Sequence, residues 1–258
     1  MRRKLVASLA CRNQGARLYG KPLQNLDIKS GTRIIDNIIA CLKSIACIDY
    51  IVLGIADGDE NYVFKSIAEQ YEIKYIFGDE IDVLSRLIQC CEAENGTDVF
   101  RITTESPFLY FESVEEAWAA HLREDSEATF MWDAIDGTGF EILSLEALRR
   151  SHREGEKRHR SELCSLYIRE NLDHFRFLKL APPEEIARHD LRLTVDYPED
   201  LVICRAAFEA LKDQAPRIKV SDIVKLLDQN PHLIDLISKF SQHRPSLFDA
   251  RKNKHGCV

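Results

Sequence analysis

What most constrains this 258-residue chain is an alternation that begins at Lys4: short apolar runs of β-type residues separated by longer stretches with helical spacing. The runs are Lys4 to Ala10, Tyr50 to Ala56, Ile73 to Phe77, Asp98 to Ile102 and Ala128 to Trp132. Between them, Ile34, Ile35, Ile38, Ile39 and Leu42 mark one helix face, and Val83, Leu84, Leu87 and Ile88 another. Parallel strands need crossovers long enough to hold a helix, so this rhythm predicts an α/β fold with a mostly parallel sheet flanked by helices.

After Trp132 the rhythm loosens. Asp136-Gly137-Thr138-Gly139 reads as a turn and Phe140 to Leu143 as a strand, and Leu145 to Arg169 is a charged, broken helical stretch. Further strands are expected at Phe175 to Leu180 and Leu191 to Val195, then helices at Pro198 to Leu211, Val220 to Leu227 and Pro231 to Phe240. The simplest organisation is one domain over residues 1–240 with a small inserted lobe, followed by a polar, frayed tail over 241–258.

Charge narrows the partners. Thirty-five Lys and Arg against 42 Asp and Glu leave a net charge of -7, so the whole-molecule field repels nucleic acid and anionic membranes. Any anion the chain binds must therefore meet a local basic site. The opening Met1-Arg2-Arg3-Lys4 and Leu5 to Cys11 imitate a lipoprotein signal, but the apolar part falls short of the ~7 to 15 residues of a signal core and reads better as a buried first strand. No segment has the ~18 apolar residues of a membrane span. Eight scattered cysteines form no CxxC pair and no zinc-spaced cluster, which is the usage of reduced thiols and suggests a cytoplasmic protein.

In an open parallel sheet, ligands sit beyond the carboxyl ends of the strands, and the first such loop is the richest. Residues 10–23 read Ala-Cys-Arg-Asn-Gln-Gly-Ala-Arg-Leu-Tyr-Gly-Lys-Pro-Leu, with three cations and two glycines. Cations supply charge-assisted hydrogen bonds to phosphate oxygens, and glycines let backbone N–H groups approach closely. On charge and glycine alone, a solvated turn is an equal reading; the spacing is not that of a Walker A loop.

Arg12, Gly15, Arg17, Leu18, Gly20, Lys21 and Pro22 resemble the signature loop R-x-x-S-x-R-L-x-G-K of nucleotidyltransferases that activate sugars with CTP, in the cytidylyltransferase branch typified by the spore coat polysaccharide biosynthesis protein SpsF. The resemblance continues in order through Ile48 to Leu53, Phe77 to Arg86, Arg101 to Phe108 and Leu191 to Leu201. It implies a GT-A-like, Rossmann-like nucleotide-binding sheet. It also implies transfer of CMP from CTP to a sugar acid, sugar phosphate or related acceptor, with pyrophosphate released, for surface glycan biosynthesis.

The residue roles carried by the resemblance are these. Arg12, Arg17 and Lys21 hold the triphosphate and stabilise charge developing in the transition state. Ala10, Asn13, Gly15, Gly78, Asp82, Arg86 and Thr103 join Arg12 and Lys21 around the nucleotide. Glu141, in a segment similar to the family's G-x-D-x-E-V-F, faces the acceptor with Arg101. Glu105 and Asp196 match the family's two metal-binding aspartates, and two carboxylates with substrate phosphates and water suit Mg²⁺, with Mn²⁺ the second candidate. The resemblance further suggests a homodimer.

The chain departs from the family pattern where Thr104-Glu105-Ser106 stands for Gly-Asp-Cys, and where Leu163 and Leu166 stand for the His and Pro of an E-H-V-T-P-Y-I segment. Two rival functions follow, a catalytically silent nucleotide-binding subunit and a GT-A glycosyltransferase. Several residues carry two readings. Asp82 and Arg86, at i,i+4, form an intrahelical pair or line the nucleotide pocket. Asp196 is a metal ligand or a helix N-cap before Pro198. Asp57-Gly58-Asp59 imitates a metal-binding DxD motif but follows the second strand, where a turn and N-cap fit better. The basic surroundings of His152 and His159 read as a solvated face or as a socket for an acidic sugar.

Overall fold

The computed structural model describes residues 2–15 and 17–241. The elements are β1 (Leu5–Cys11), β2 (Asn25–Asp27), β3 (Thr32–Arg33), α1 (Ile34–Lys43), β4 (Tyr50–Ala56), α2 (Tyr62–Gln70), β5 (Lys74–Gly78), α3 (Val83–Ala93) and β6 (Asp98–Arg101). There follow α4 (Val114–Arg123), β7 (Ala128–Met131), β8 (Glu141–Ser144), α5 (Leu145–Glu154), α6 (Leu166–Glu170), β9 (Phe177–Leu180), α7 (Pro198–Leu211), α8 (Val220–Asp228) and α9 (Pro231–Ser241).

Seven strands form one sheet in the order β5-β4-β1-β6-β8-β7-β9, all neighbours parallel except those involving β8. β1 lies inside because its residues are apolar on both faces. Leu5, Ala7, Leu9 and Cys11 point into one core layer with α1, α2, α4, α7 and α8, whereas Val6 points into the other with α3, α5 and α6. The basic, apolar, Cys-ending opening segment is thus a central buried strand.

Two features of the sheet position the site. The parallel strands β1, β4 and β6 send the loops that follow them to one edge. β8 runs antiparallel to β6, so its first residue arrives at that edge, where Glu141 pairs with Arg101. Periodicity marks β8 as a strand but carries no sign of its direction.

The structure corrects one expectation and adds one element. Leu191 to Val195 is buried but is not a sheet strand; it makes one isolated bridge, Arg192 to Asp136. Its hydrogen bonds go to loops, from the Leu193 N–H to the Asp136 carbonyl (2.7 Å) and from the Val195 N–H to the Glu105 carbonyl (3.0 Å). Asn25 to Arg33, which lacks a clear period, forms the small antiparallel β2–β3 pair. The expected frayed tail lies, beyond Ser241, outside the described residues. Among the described residues no helix is long and apolar enough to cross a membrane.

Candidate active site

Two adjoining cavities lie at the carboxyl edge of the sheet. The smaller, about 220 Å³, lies under the loop after β1 and is lined by Ala10, Arg12, Asn13, Gly15, Lys21 and Arg86, among others. The larger, about 940 Å³, is walled by the starts and ends of β6, β7 and β8, by residues 188–196 and by α9. Arg17, Arg101, Ile102, Thr103, Glu105 and Glu162 line both, so the junction runs past Glu105.

The loop after β1 owes its shape to local contacts. Gly20 takes a left-handed conformation (φ 58°), and its N–H donates to the Asn13 carbonyl (2.8 Å), which closes the loop on itself. A side chain at Gly15 would strike the Leu18 carbonyl, 2.3 Å from where its Cβ would stand. Asn13 is a clamp: its N–H donates to Asn61 Oδ1 (2.8 Å) and its side-chain amide to the Glu60 carbonyl. Thr104 Oγ1 donates to the Ala10 carbonyl (3.0 Å), tying the next loop to the same strand end.

Three cations project from this loop, and each already has an acidic partner. Lys21 Nζ donates to Asp196 Oδ1 (2.6 Å), Arg17 to the same oxygen (3.1 Å), and Arg12 to Glu162 Oε1 (3.0 Å). Beneath them Arg86 is almost fully buried and, among the described residues, pairs with no carboxylate. It donates to the carbonyls of Cys11 (3.2 Å), Gly54 (2.8 Å) and Glu80 (3.3 Å), and burial lowers its proton affinity. An arginine stays charged regardless, so a fixed positive charge underlies the small cavity.

Asp196 is the hub. Its second oxygen accepts from Arg192 (3.1 Å), whose guanidinium also meets Asp136 and Asp200. Burial alone would raise the Asp196 carboxyl, but the Lys21 hydrogen bond and the charges of Lys21, Arg17 and Arg192 hold it below its ordinary range. Asp196 does not cap α7. Tyr197 is the N-cap, and the N–H groups of Asp196 and Tyr197 are taken by Asp200, the N3 residue, at 2.9 Å each.

Glu105 behaves oppositely. Among the described residues its carboxylate has no hydrogen-bond or ion-pair partner, and burial pushes it above its ordinary range against the pull of Lys21, with the charge of Asp196 adding to the rise. The Val195 N–H to Glu105 carbonyl bond binds the Glu105 loop to the segment carrying Asp196. Among the described residues no group of three Asp, Glu, His or Cys forms a metal cage. Glu105 and Asp196 nevertheless both line the larger cavity, and two carboxylates are the donor type of a divalent cation whose remaining ligands come from substrate and water.

On the far side of the junction, Glu141 is held by Arg101 (2.9 Å), Ser165 Oγ (2.7 Å) and Arg169. Burial works against its charge, yet the two arginines bring its carboxyl down to about 2. Its oxygens are taken by protein, so it holds Arg101 and Arg169 in the cavity wall.

Two expected nucleotide contacts lie elsewhere. Asp82 caps α3, accepting from the Ser85 N–H (2.9 Å), and meets His152 Nε2 (2.7 Å). It pairs with neither Arg86 nor a cavity. Gly78 also lines neither cavity; it makes room for Arg86, whose Cγ would stand 2.9 Å from an added Cβ. His159, read as part of a solvated face or of a socket for an acidic sugar, is 3% exposed and bonds Glu170 (3.0 Å). Asp57-Gly58-Asp59 is a turn without an N-cap hydrogen bond. The described cysteines are free thiols, and burial pushes Cys11 and Cys41 up to about 12.

Sequence reasoning missed Arg169, Arg192, Asp200 and Glu162 as parts of this network. Asp200 had a signal, an acid at the third position after an N-cap and a first-turn Pro. Arg169 had none, since its partner is 28 residues away.

A mostly parallel sheet with one reversed strand, carrying a cationic loop and two carboxylates at its carboxyl edge, defines the Rossmann-like α/β fold shared with nucleotidyltransferases. A cytidylyltransferase from Leptospira borgpetersenii superposes with a TM-score of 0.80 at 18% identity, covering 91% of this chain and 97% of that one. A CMP:2-keto-3-deoxy-manno-octonic acid synthetase, solved in complex with CTP, gives 0.58 at 14% identity over 80% and 99%. In sequence the chain is SpsF-like: it is 25% identical to the spore coat polysaccharide biosynthesis protein SpsF of Bacillus subtilis over 228 residues, 86% of this chain and 93% of that protein. The uncharacterised protein MJ1063 of Methanocaldococcus jannaschii is 24% identical over 243 residues, 93% and 96% of the two chains. No family model matches the chain.

Proposed function

We propose that this chain is a CTP-dependent nucleotidyltransferase that transfers CMP to a sugar-like acceptor in surface glycan biosynthesis. The observation that carries the reading is the cationic loop after β1, with Arg12, Arg17 and Lys21 around a small cavity that shares Glu105 with a larger neighbour. The likeness to SpsF and to cytidylyltransferase structures supports CTP as the nucleotide.

In this reading the triphosphate enters the small cavity and the acceptor the large one. An acceptor oxygen forms a bond to the α-phosphorus as the bond to the β-phosphate oxygen breaks, and pyrophosphate leaves with that electron pair. Lys21 and Arg17 turn from Asp196, and Arg12 from Glu162, to the phosphate oxygens, where they stabilise charge building on the leaving group. Arg86 adds a fixed charge from below, and Arg101 and Arg169 orient an acceptor in the large cavity. Glu105 and Asp196 would hold Mg²⁺ or Mn²⁺, which as a Lewis acid would polarise phosphate oxygens. Residues 1–240 form the catalytic domain, working as a cytoplasmic homodimer.

The saturation of Asp196 by three cations favours a second reading, a subunit that binds nucleotide without turning it over. A pyrophosphate-release screen of nucleoside triphosphates against keto-acid sugars, sugar phosphates and phosphonates separates the two. Release with CTP and one acceptor class is the expected result. Tight CTP binding with no release for any acceptor selects the silent subunit.

A further inference from the structure

Arg17 is the least buried of the cations that meet Asp196, with its side chain 46% exposed. An arginine in that position samples many rotamers unless something holds it. The Asp196 contact is one restraint, and Tyr197 supplies two more. Its hydroxyl accepts from Arg17 NH1 (3.3 Å), and its ring centroid lies 4.9 Å from the guanidinium carbon.

The Tyr197 ring is braced in turn. Phe240, from the last turn of α9, stacks on it at a centroid distance of 4.0 Å and an interplanar angle of 12°. Helix α9 is anchored independently: Ile237 is fully buried, and Lys239 donates to Glu199 of α7 (2.9 Å). Phe240 and Arg17 also share the wall of the larger cavity. Helix α9 therefore reaches the cationic loop through one aromatic pair.

We infer that Tyr197 and Phe240 are positioning residues that set the Arg17 guanidinium for the triphosphate, so that seating of the C-terminal helix and nucleotide binding are coupled. The inference rests on the nucleotidyltransferase reading above. An arginine already placed against an aromatic face gives up less rotamer freedom on meeting phosphate than a free one. Coupling is reciprocal, so bound triphosphate seats α9 more firmly by the same factor.

The test is a double-mutant cycle on CTP affinity, measured by calorimetry with the full-length protein. Phe240→Ala is expected to weaken CTP binding about three- to tenfold, the range of one partly exposed cation–π contact. Phe240→Tyr, which keeps the ring, restores binding. In an Arg17→Ala background, Phe240→Ala should change affinity less than about 1.5-fold, because the residue it acts through is gone. In the parent, CTP should slow amide exchange in α9, and in Phe240→Ala it should not.

An equal penalty for Phe240→Ala in both backgrounds overturns the inference while leaving the nucleotide site standing. Should Phe240→Ala fail to fold, Phe240→Leu keeps more of the apolar bulk, loses the ring stacking and answers the same question. A folded parent that binds no nucleoside triphosphate at all defeats the nucleotidyltransferase reading, and this inference with it.

Discussion

The small cavity under the β1 loop and the larger one beyond it are both rich in arginine, and they hold it in opposite ways. In the large cavity several arginines are tied down in closed ion pairs: Glu141 binds Arg101 and Arg169, and Arg188 is paired with Asp190 and Asp228. In the small cavity Arg17 and Lys21 share one oxygen of Asp196, Arg12 leans on the exposed Glu162, and Arg86 donates to carbonyls. Dedicated pairs build a wall of fixed shape. Shared or exposed partners can be exchanged for an incoming anion, because a phosphate repays the lost bond with several charge-assisted ones.

The sharpest way to break this contrast is to remove an exchangeable cation. Lys21→Ala should lower turnover by about 10²- to 10³-fold, as loss of one transition-state charge contact does, with little change in the thermal midpoint. Normal turnover at saturating substrate would take Lys21 out of the mechanism. Asp196→Asn should be comparably damaging, since Asn keeps the size but not the charge that gathers Lys21, Arg17 and Arg192. Glu105→Asp should retain metal-dependent turnover with a changed ratio of Mg²⁺ to Mn²⁺ activity, read from a metal titration of pyrophosphate release.

A dedicated pair should fail differently. Glu141→Gln strands Arg101 and Arg169 without their carboxylate, which should cost about 3 to 5 kcal/mol of stability and lower the thermal midpoint by roughly 6 to 15 °C. The pH dependence has a definite sign. With its carboxyl lowered from the usual 4.5 to about 2, Glu141 contributes stability above pH 4.5 that is lost as pH falls toward 2. The contribution is on the order of 3 kcal/mol. Urea midpoints measured between pH 6 and 2.5 should fall more steeply for the parent than for Glu141→Gln; parallel profiles would mean the charge is not held as described.

Smaller effects test the outer partner. Glu162→Gln removes the exposed acid that occupies Arg12, so CTP should bind about two- to fivefold more tightly, the scale of an exposed ion pair. Weaker binding would show that Glu162 itself helps the nucleotide. Cys11→Ser should change turnover least, within about twofold, because burial keeps that thiol protonated and no His activates it. Rapid inactivation by a thiol reagent that Cys11→Ser prevents, and bound nucleotide does not, would point to thiol chemistry.

Much of the site could be read from residues 10–23, because a loop after a buried strand concentrates its chemistry in consecutive positions. The pairing of Glu105 with Asp196 was reachable only through resemblance, since 91 positions separate them and no local pattern joins them. Asp82 and Gly78 entered the nucleotide pocket through the resemblance; in the structure one caps α3 and the other makes room for Arg86, roles that depend on how the segment packs.

By itself the sequence determined what short-range physics can express. Strand and helix periods set the α/β class, β1 became central because both its faces are apolar, and the composition of the first loop located the cationic pocket. Tertiary structure alone decided the direction of β8, which brings Glu141 opposite Arg101, and the sharing of Asp196 among three cations. It also decided the reach of α9 to Arg17 through Phe240 and Tyr197. Apart from Arg192, which lies four residues from Asp196, these are contacts between segments far apart in the chain, made when the faces of the sheet are buried and the strand ends converge on one edge, and no window of neighbouring residues carries that information.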